Sequence, residues 1–156
     1  MYNDFLRQDK DRNGEFALNQ CIGEWVSNGL HSFQPSKAIA IQALRHLSKK
    51  KRADLFSKNE IPKQIAFGQL YEAVIYERLL ELTKQNADYS VVRKGDDIRW
   101  KNRTRSKLGQ DGLFYDETGA IVARGNGQDL AEFDLLVMNN QNEIAYVEVK
   151  TSRSNL

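Results

Sequence analysis

Two segments near the end of the printed sequence alternate in the manner of β-strands. In residues 131–138, AEFDLLVM, one face is apolar and the other carries Glu132 and Asp134. In residues 143–151, EIAYVEVKT, one face is again apolar and the other carries Glu148 and Lys150. Because successive side chains point to opposite faces of a strand, the two segments predict a hairpin around the Asn-rich turn NNQN.

A direct pairing of Asp134 with Glu148 makes a specific demand on this turn. The same register pairs residue 138 with residue 144 and leaves residues 139–143 as the loop. A loop of two or four residues would place the two acids on opposite faces unless a bulge intervened. The spacing therefore predicts one particular register if the two carboxylates are to be neighbours.

Two carboxylates directly opposite each other repel, and a divalent cation between them reverses the sign of that interaction. Mg²⁺ suits such a pair, since it often binds through one or two carboxylates together with water and phosphate oxygens. A bound metal lowers the pKa of its water and offsets charge on a phosphodiester transition state. Lys150 would orient or deprotonate that water, or stabilise the developing phosphate charge. The ordinary alternative is a solvated strand face, because 28% of the residues are charged.

The first half of the chain has helical spacing. Residues 16–30 predict a short helix, and a second one begins after Ser36 as N-cap and ends in the cations 49–52, which suit a helix C-terminus. The longest periodic segment runs from about Pro62, a first-turn residue, to Lys84. Its predicted buried side consists of Ile65, Leu70, Val74, Ile75, Leu79 and Leu82.

The second half is richer in strands. Residues 89–95 predict a short strand, residues 112–125 a hairpin that turns at 116–119, and residues 124–130 a loop. Helices followed by strands indicate an α+β or mixed α/β fold.

The order of these motifs resembles the PD-(D/E)XK nuclease superfamily, which has the restriction-endonuclease-like fold. A helix with G-x-x-x-E (Gly68 and Glu72) is followed by strands, by Phe133-Asp134, by thirteen intervening residues, and by Glu148-Val149-Lys150. The helix motif also resembles the Holliday-junction-resolvase-type branch. Phe133 stands where the family name has proline, which is a frequent variation. The resemblance covers roughly residues 62–151.

The resemblance implies a mixed central sheet flanked by helices and Mg²⁺-dependent hydrolysis of DNA, with Mn²⁺ as a substitute metal. It implies that Asp134 and Glu148 hold the metal, with the Val149 carbonyl as a further ligand. Lys150 would be the water-positioning lysine. Glu72 would be the helix acid that contacts the metal directly or through water.

The domain prediction follows from the same resemblance. Residues 1–60 form an N-terminal helical extension and residues 61–156 a nuclease-like core. The family core normally continues after the E-x-K strand with a helix and another strand. Three explanations stay open: a chain truncated at its C-terminus, N-terminal helices that fill the missing layer, or a protein that is inactive or completed by a partner.

A basic run in residues 93–107 predicts the surface that contacts DNA. Cations neutralise phosphates and an aromatic ring can stack on a base, although a solvated loop is the ordinary alternative. The predicted nucleic-acid-binding residues are Arg93, Lys94, Arg99, Trp100, Lys101, Arg103, Arg105 and Lys107. Cutting both strands of a duplex would favour a homodimer or a larger complex.

The cysteine count and the apolar runs exclude some other classes of protein. A single cysteine, Cys21, excludes an intrachain disulfide, and no apolar run is long enough to span a membrane. We therefore expect a soluble, intracellular, cytoplasmic protein without a membrane partner. DKDRNG (9–14) matches the opening of an EF-hand loop, but Gln20 replaces the expected glutamate, and a polar turn is the better interpretation.

Two functions from other classes compete with the endonuclease. One is a catalytically inactive nucleic-acid-binding or scaffold domain of the same fold. The other is a helical protein-interaction module built on residues 16–60, which predicts an exposed apolar stripe over residues 36–48.

Overall fold

The fold is mixed α+β, with the helices first and the strands after them, as predicted. The computed structural model describes residues 13–97, 99 and 112–150, with the side chains of the first helix described from Ile22 onward. The helices in these residues are α1 (Asn13–Leu30), α2 (Lys37–Arg45), α3 (Lys49–Asp54) and α4 (Glu60–Gln85).

The segment predicted as one helix after Ser36 forms two. Ser36 caps α2 as expected, since its hydroxyl accepts a hydrogen bond from the Ile39 amide at 3.2 Å. The prediction that the cations 49–52 end this helix is wrong, because α2 already ends at Arg45. Ser48 caps a new helix by accepting from the Lys51 amide at 3.2 Å, so the lysines begin α3.

Helix α4 is close to the predicted range, with Pro62 in its first turn. Ile65 was predicted to be buried and is instead 48% exposed, because the buried stripe of the helix is rotated away from it. The buried residues of α4 are Ala66, Ala73, Ile75, Tyr76, Glu77, Leu79 and Leu80. The stripe therefore includes one carboxylate, Glu77, which needs partners inside the protein.

Two three-stranded antiparallel sheets account for the strands of the described residues. The strands are β1 (Tyr89–Val91), β2 (Leu113–Tyr115), β3 (Ile121–Gly125), β4 (Gln128–Phe133), β5 (Leu135–Asn139) and β6 (Ile144–Val147). One sheet has the order β1-β5-β6 and the other the order β2-β3-β4. The described strands thus form two small antiparallel sheets, where a single mixed sheet was expected.

The predicted register of the last hairpin is confirmed. Met138 pairs with Ile144 and Leu135 with Val147, and the connection includes residues 139–143. The Asn139 side chain fixes the turn by accepting hydrogen bonds from the amides of Gln141 at 3.0 Å and Glu143 at 2.9 Å. The ladder ends at the pair Leu135–Val147, and Asp134 and Glu148 are the next residues beyond it.

Residues 131–138 do not form one continuous strand, as the alternation predicted. The strand is interrupted at Asp134, so β4 belongs to one sheet and β5 to the other. Residues 124–130, predicted as a loop, lie mostly in β3 and β4 and turn at Asn126 and Gly127. Both turn residues have positive φ, 51° and 76°, which is the backbone that an Asn-Gly hairpin turn adopts.

The main core lies between α1, α4 and one face of the β1-β5-β6 sheet. Ile22 and Val26 of α1 share this core with Leu79 of α4 and with Leu135 and Val147 of the sheet. Helix α1 therefore covers strands of the predicted nuclease-like core. Leu136 faces the opposite way and packs with Tyr115 and Ile121 of the second sheet.

The hairpin of β2 and β3 turns where predicted and clamps the segment after β1. Gly119 has φ +89° and its carbonyl accepts a hydrogen bond from the Gly95 amide at 2.8 Å. A Cβ at Gly119 would lie 2.5 Å from the Asp96 amide nitrogen, which is backbone and cannot move aside. This contact fixes residues 95 and 96 against the hairpin.

We expect Gly119→Ala to destabilise the protein by about 2–4 kcal/mol, through the left-handed backbone and the clash together. Gly127→Ala is the matched control, because Gly127 also has positive φ (+76°) but has nothing within 4 Å of an added Cβ. Its cost should be only about 1 kcal/mol. Urea denaturation of both variants measures the difference, and equal losses of unfolding free energy would contradict the close contact of Gly119 with residues 95 and 96.

Candidate functional site

Asp134 lies at the junction of the two sheets, immediately before β5. Its Oδ2 accepts a hydrogen bond from the backbone amide of Val149 at 2.9 Å. Glu148 directly precedes Val149 and follows the last residue of β6. The hydrogen bond therefore connects the Asp134 carboxylate to the E-x-K segment just beyond the end of β6.

The charges of Asp134 and Glu148 both affect the pKa of the Tyr146 phenol. Burial, followed by the negative charges of Glu148 and Asp134, raises the pKa of Tyr146 to about 12. Tyr146 packs edge-to-face on Phe133, with ring centroids 5.2 Å apart. Both carboxylates thus act on one aromatic side chain at the end of the hairpin.

Glu148 and Lys150 form an ion pair on the surface. The Lys150 Nζ lies 3.3 Å from Glu148 Oε1, and their side chains are 71% and 45% exposed, respectively. The two residues were predicted to share a face of a strand over 143–151, but β6 ends at Val147, so this contact lies beyond the strand. An exposed pair of this kind adds little to stability, about 0–1 kcal/mol, so both groups are accessible to a ligand.

A cleft of about 410 Å³ opens between α4, the segment after β1 and the strand break. Glu72 and Asp134 both line it, together with Lys94, Asp96 and Glu132. Among the described residues, Glu148 and Lys150 are not part of its lining. The cleft therefore brings the helix acid and the first strand acid to one concave surface, with the E-x-K segment joined to it through Asp134.

The Glu72 carboxylate already has a cationic partner. Lys94 Nζ donates a hydrogen bond to Glu72 Oε1, and both side chains are largely sheltered, with 20% and 28% exposed. The same ammonium lies 5.5 Å from the centroid of the Tyr76 ring. Glu72 is therefore neutralised by the protein itself.

The donor groups around Asp134 are of the chemical types that a divalent cation binds. Asp134 and Glu148 supply two carboxylates and Val149 a carbonyl, and Mg²⁺ typically takes one or two carboxylates plus water and phosphate oxygens. Glu72 does not fit as a further ligand while it is paired with Lys94. In keeping with this, residues 13–97, 99 and 112–150 contain no group of three His, Cys, Asp or Glu side chains that could hold a metal ion.

A charged network adjoins the cleft at His46, and it was not predicted from the sequence. Arg99 binds both oxygens of Glu77, at 3.0 and 2.6 Å, and both oxygens of Asp97, at 3.0 and 2.9 Å. Tyr76 donates to Asp97 at 2.8 Å, and His46 Nε2 lies 2.7 Å from Glu77. Asp97 is 1% exposed and Glu77 6%, so these partners are what makes two buried carboxylates tolerable.

The partners outweigh burial in setting the charge of this network. Burial alone would raise the pKa of Asp97, but hydrogen bonds from Arg99 and Tyr76 hold that pKa well below its usual range. Burial likewise acts to raise the pKa of Glu77, and hydrogen bonds from His46 and Arg99 lower it on balance. The carboxylates of Asp97 and Glu77 are therefore ionised at neutral pH. Burial raises the pKa of the Tyr76 hydroxyl.

Three of the predicted DNA-binding cations lie in the described part of the chain, and each has a carboxylate partner. Lys94 pairs with Glu72, Arg99 with Glu77 and Asp97, and Arg93 lies 3.3 Å from Asp97. Trp100, Lys101, Arg103, Arg105 and Lys107 lie outside the described residues, as does the start of the DKDRNG motif. DNA contact by the basic run stays a prediction.

The burial of Glu77 had a signal in the sequence that was not used, whereas the burial of Asp97 had none. Glu77 stands four residues after Ala73 and three before Leu80, so it lies on the buried stripe of an otherwise apolar helix face. A charged residue at such a position indicates an internal partner. Asp97 lies in a polar segment with no periodicity, where adjacent Asp96 is exposed and Asp97 is not.

Comparison of the chain with protein-family models, with curated proteins and with solved structures found no match in any of the three. None of the helices in the described residues has the length and apolar character needed to cross a membrane.

Proposed function

We propose that this chain is a divalent-metal-dependent DNA endonuclease with the restriction-endonuclease-like arrangement. The observation that carries the proposal is the junction at Asp134: a carboxylate at the start of β5 is hydrogen-bonded to the backbone of the E-x-K segment at the end of β6. A hairpin register that pairs Leu135 with Val147, the residues next to Asp134 and Glu148, supports it. So does the order of elements, with α4 and its glutamate preceding and packing beside the β1-β5-β6 sheet.

In the proposed mechanism Asp134 and Glu148 hold the cation, with Val149 offering its carbonyl. Bound Mg²⁺ would supply Lewis-acid activation of water and charge neutralisation at the phosphate. The two carboxylates set where the reacting phosphate lies. Lys150 extends beside Glu148 with an exposed ammonium, and it would orient the attacking water or stabilise negative charge developing on the phosphate.

The test is cleavage of supercoiled plasmid and of branched DNA with Mg²⁺ or Mn²⁺, against the same reactions with EDTA. We expect metal-dependent nicking or linearisation, and a loss of at least about 10²-fold in rate for Lys150→Ala, which removes the charge near the phosphate. Lys84→Ala, at the far end of α4, is the matched control. Equal rates for Lys150→Ala and wild type would remove Lys150 from the site.

A catalytically inactive nucleic-acid-binding or scaffold domain is the second candidate. It is favoured by the pairing of Glu72 with Lys94 and by the lack of a three-acid metal group in the described residues. It predicts DNA binding without cleavage under any metal. The helical interaction module has weaker support, since Ile39, Ala43 and Leu47 of residues 36–48 are buried and Ile41 is the large apolar side chain of that range that is exposed, at 43%.

A further inference from the structure

The backbone of residues 92–97 is fixed at many points although it has no regular secondary structure. The Val92 amide donates to the Leu136 carbonyl at 2.9 Å, and the Gly95 amide donates to the Gly119 carbonyl at 2.8 Å. Between them, the Lys94 amide donates to the Tyr76 hydroxyl at 3.1 Å. Sheet, hairpin and long helix therefore converge on the backbone of residues 92–95, which includes Lys94.

The buried network completes this support. Tyr76, which holds the Lys94 amide, donates its own proton to Asp97, and Asp97 is held by Arg99 and Arg93. A fully satisfied polar network of this kind rigidifies the residues that it connects. Its cost in desolvation is large, and Lys94, whose backbone it holds, lines the cleft.

The Lys94 side chain is also fixed. The Glu72 carboxylate on one side and the Tyr76 ring on the other restrain its ammonium. Lys51 also lines the cleft, on the short helix α3. A preorganised cation in the cleft that Asp134 also lines is suited to a phosphate oxygen, since little side-chain entropy remains to be lost on binding.

We infer that Lys94 contacts a phosphate of the nucleic-acid backbone in the cleft, and that Glu72 is a positioning residue for Lys94 and not a ligand of the metal. This inference rests on the proposed function for the class of substrate. It reassigns Glu72 from the role that the motif implies, because its carboxylate is occupied by an ammonium that the fold holds in place.

The experiment is metal-free binding of a fluorescein-labelled duplex, followed by anisotropy in EDTA between about 50 and 200 mM salt. The variants are Lys94→Gln, Lys94→Arg and the control Lys84→Gln. A lost phosphate contact reduces the slope of log Kd against log salt by about 0.9. We expect this for Lys94→Gln, with equal weakening for unrelated duplex sequences, and wild-type slopes for Lys94→Arg and Lys84→Gln.

Wild-type affinity and slope in Lys94→Gln would overturn the phosphate contact, as would the absence of metal-free DNA binding by the wild type. Glu72 is tested separately by Mn²⁺ titration. Glu72→Gln should bind Mn²⁺ like the wild type, and loss of Mn²⁺ binding would overturn its positioning role.

The two proposals fail in different ways. A Lys94-dependent salt slope in a protein that never cleaves DNA would support the phosphate contact and refute the nuclease. Metal-dependent cleavage by a protein whose DNA binding ignores Lys94 would refute the phosphate contact and support the nuclease.

Discussion

Replacing Asp134 by Asn should reduce metal-dependent DNA cleavage by about 10²–10³-fold or more, the loss typical of removing one electrostatic element of a catalytic site. Asn keeps an oxygen that can accept the hydrogen bond from the Val149 amide, so the backbone at the junction should be preserved. What the substitution removes is the negative charge. The measurement is the single-turnover rate constant on a labelled duplex with saturating Mg²⁺.

Asp129→Asn is the matched control for this substitution. Asp129 lies on β4, is half exposed and pairs with Arg124 at 2.7 Å on the surface. It carries the same charge change away from the lining of the cleft, and an exposed pair contributes only about 0–1 kcal/mol to stability. We expect wild-type cleavage from this variant. Equal losses in both variants would mean that net charge, and not the junction, governs activity.

Replacing Asp97 by Ala should cost about 3–5 kcal/mol of unfolding free energy, because it removes one partner of a buried, hydrogen-bonded charge network. Arg99, Tyr76 and Arg93 all lose an acceptor. For a protein of this size, the loss corresponds to a fall in Tm of about 10 °C. Asp96→Ala is the control, since Asp96 is the exposed neighbour and should cost less than about 0.5 kcal/mol.

The cost of losing Asp97 should depend on pH in a definite direction. The folded-state pKa of Asp97 lies below its ordinary value of 3.8, so its contribution is fully present above about pH 5 and is lost as pH falls toward the folded-state pKa. Denaturation at pH 7 and pH 3 should therefore give a smaller difference between wild type and Asp97→Ala at pH 3. A difference that is constant with pH would contradict an ionised Asp97.

The final hairpin was predictable because its pattern and its register depend on local spacing. Strand alternation together with the length of the NNQN turn led to the pairing of Met138 with Ile144. The turn of the β2–β3 hairpin followed in the same way from Asp116, whose carboxylate accepts from the Thr118 and Ala120 amides. Short-range geometry decides features of this kind.

Features that depend on distant partners were not predictable. Alternation cannot reveal that a strand changes sheets at Asp134, where the carboxylate accepts a hydrogen bond from Val149, fifteen residues later in the chain. The Asn126-Gly127 dipeptide was itself a local signal for a hairpin turn, although residues 124–130 were predicted as a loop. The pairing of Glu72 with Lys94 joins α4 to a segment without periodicity, and no sequence pattern indicates it.

The central claim, that the Asp134 junction is a divalent-cation site, is tested most directly by Mn²⁺ titration followed by electron paramagnetic resonance. Free Mn²⁺ gives a strong signal that binding suppresses. We predict that wild type and Asp129→Asn suppress the signal alike and that Asp134→Asn does so far more weakly. Equal binding by wild type and Asp134→Asn, or no binding by the wild type, would contradict the claim.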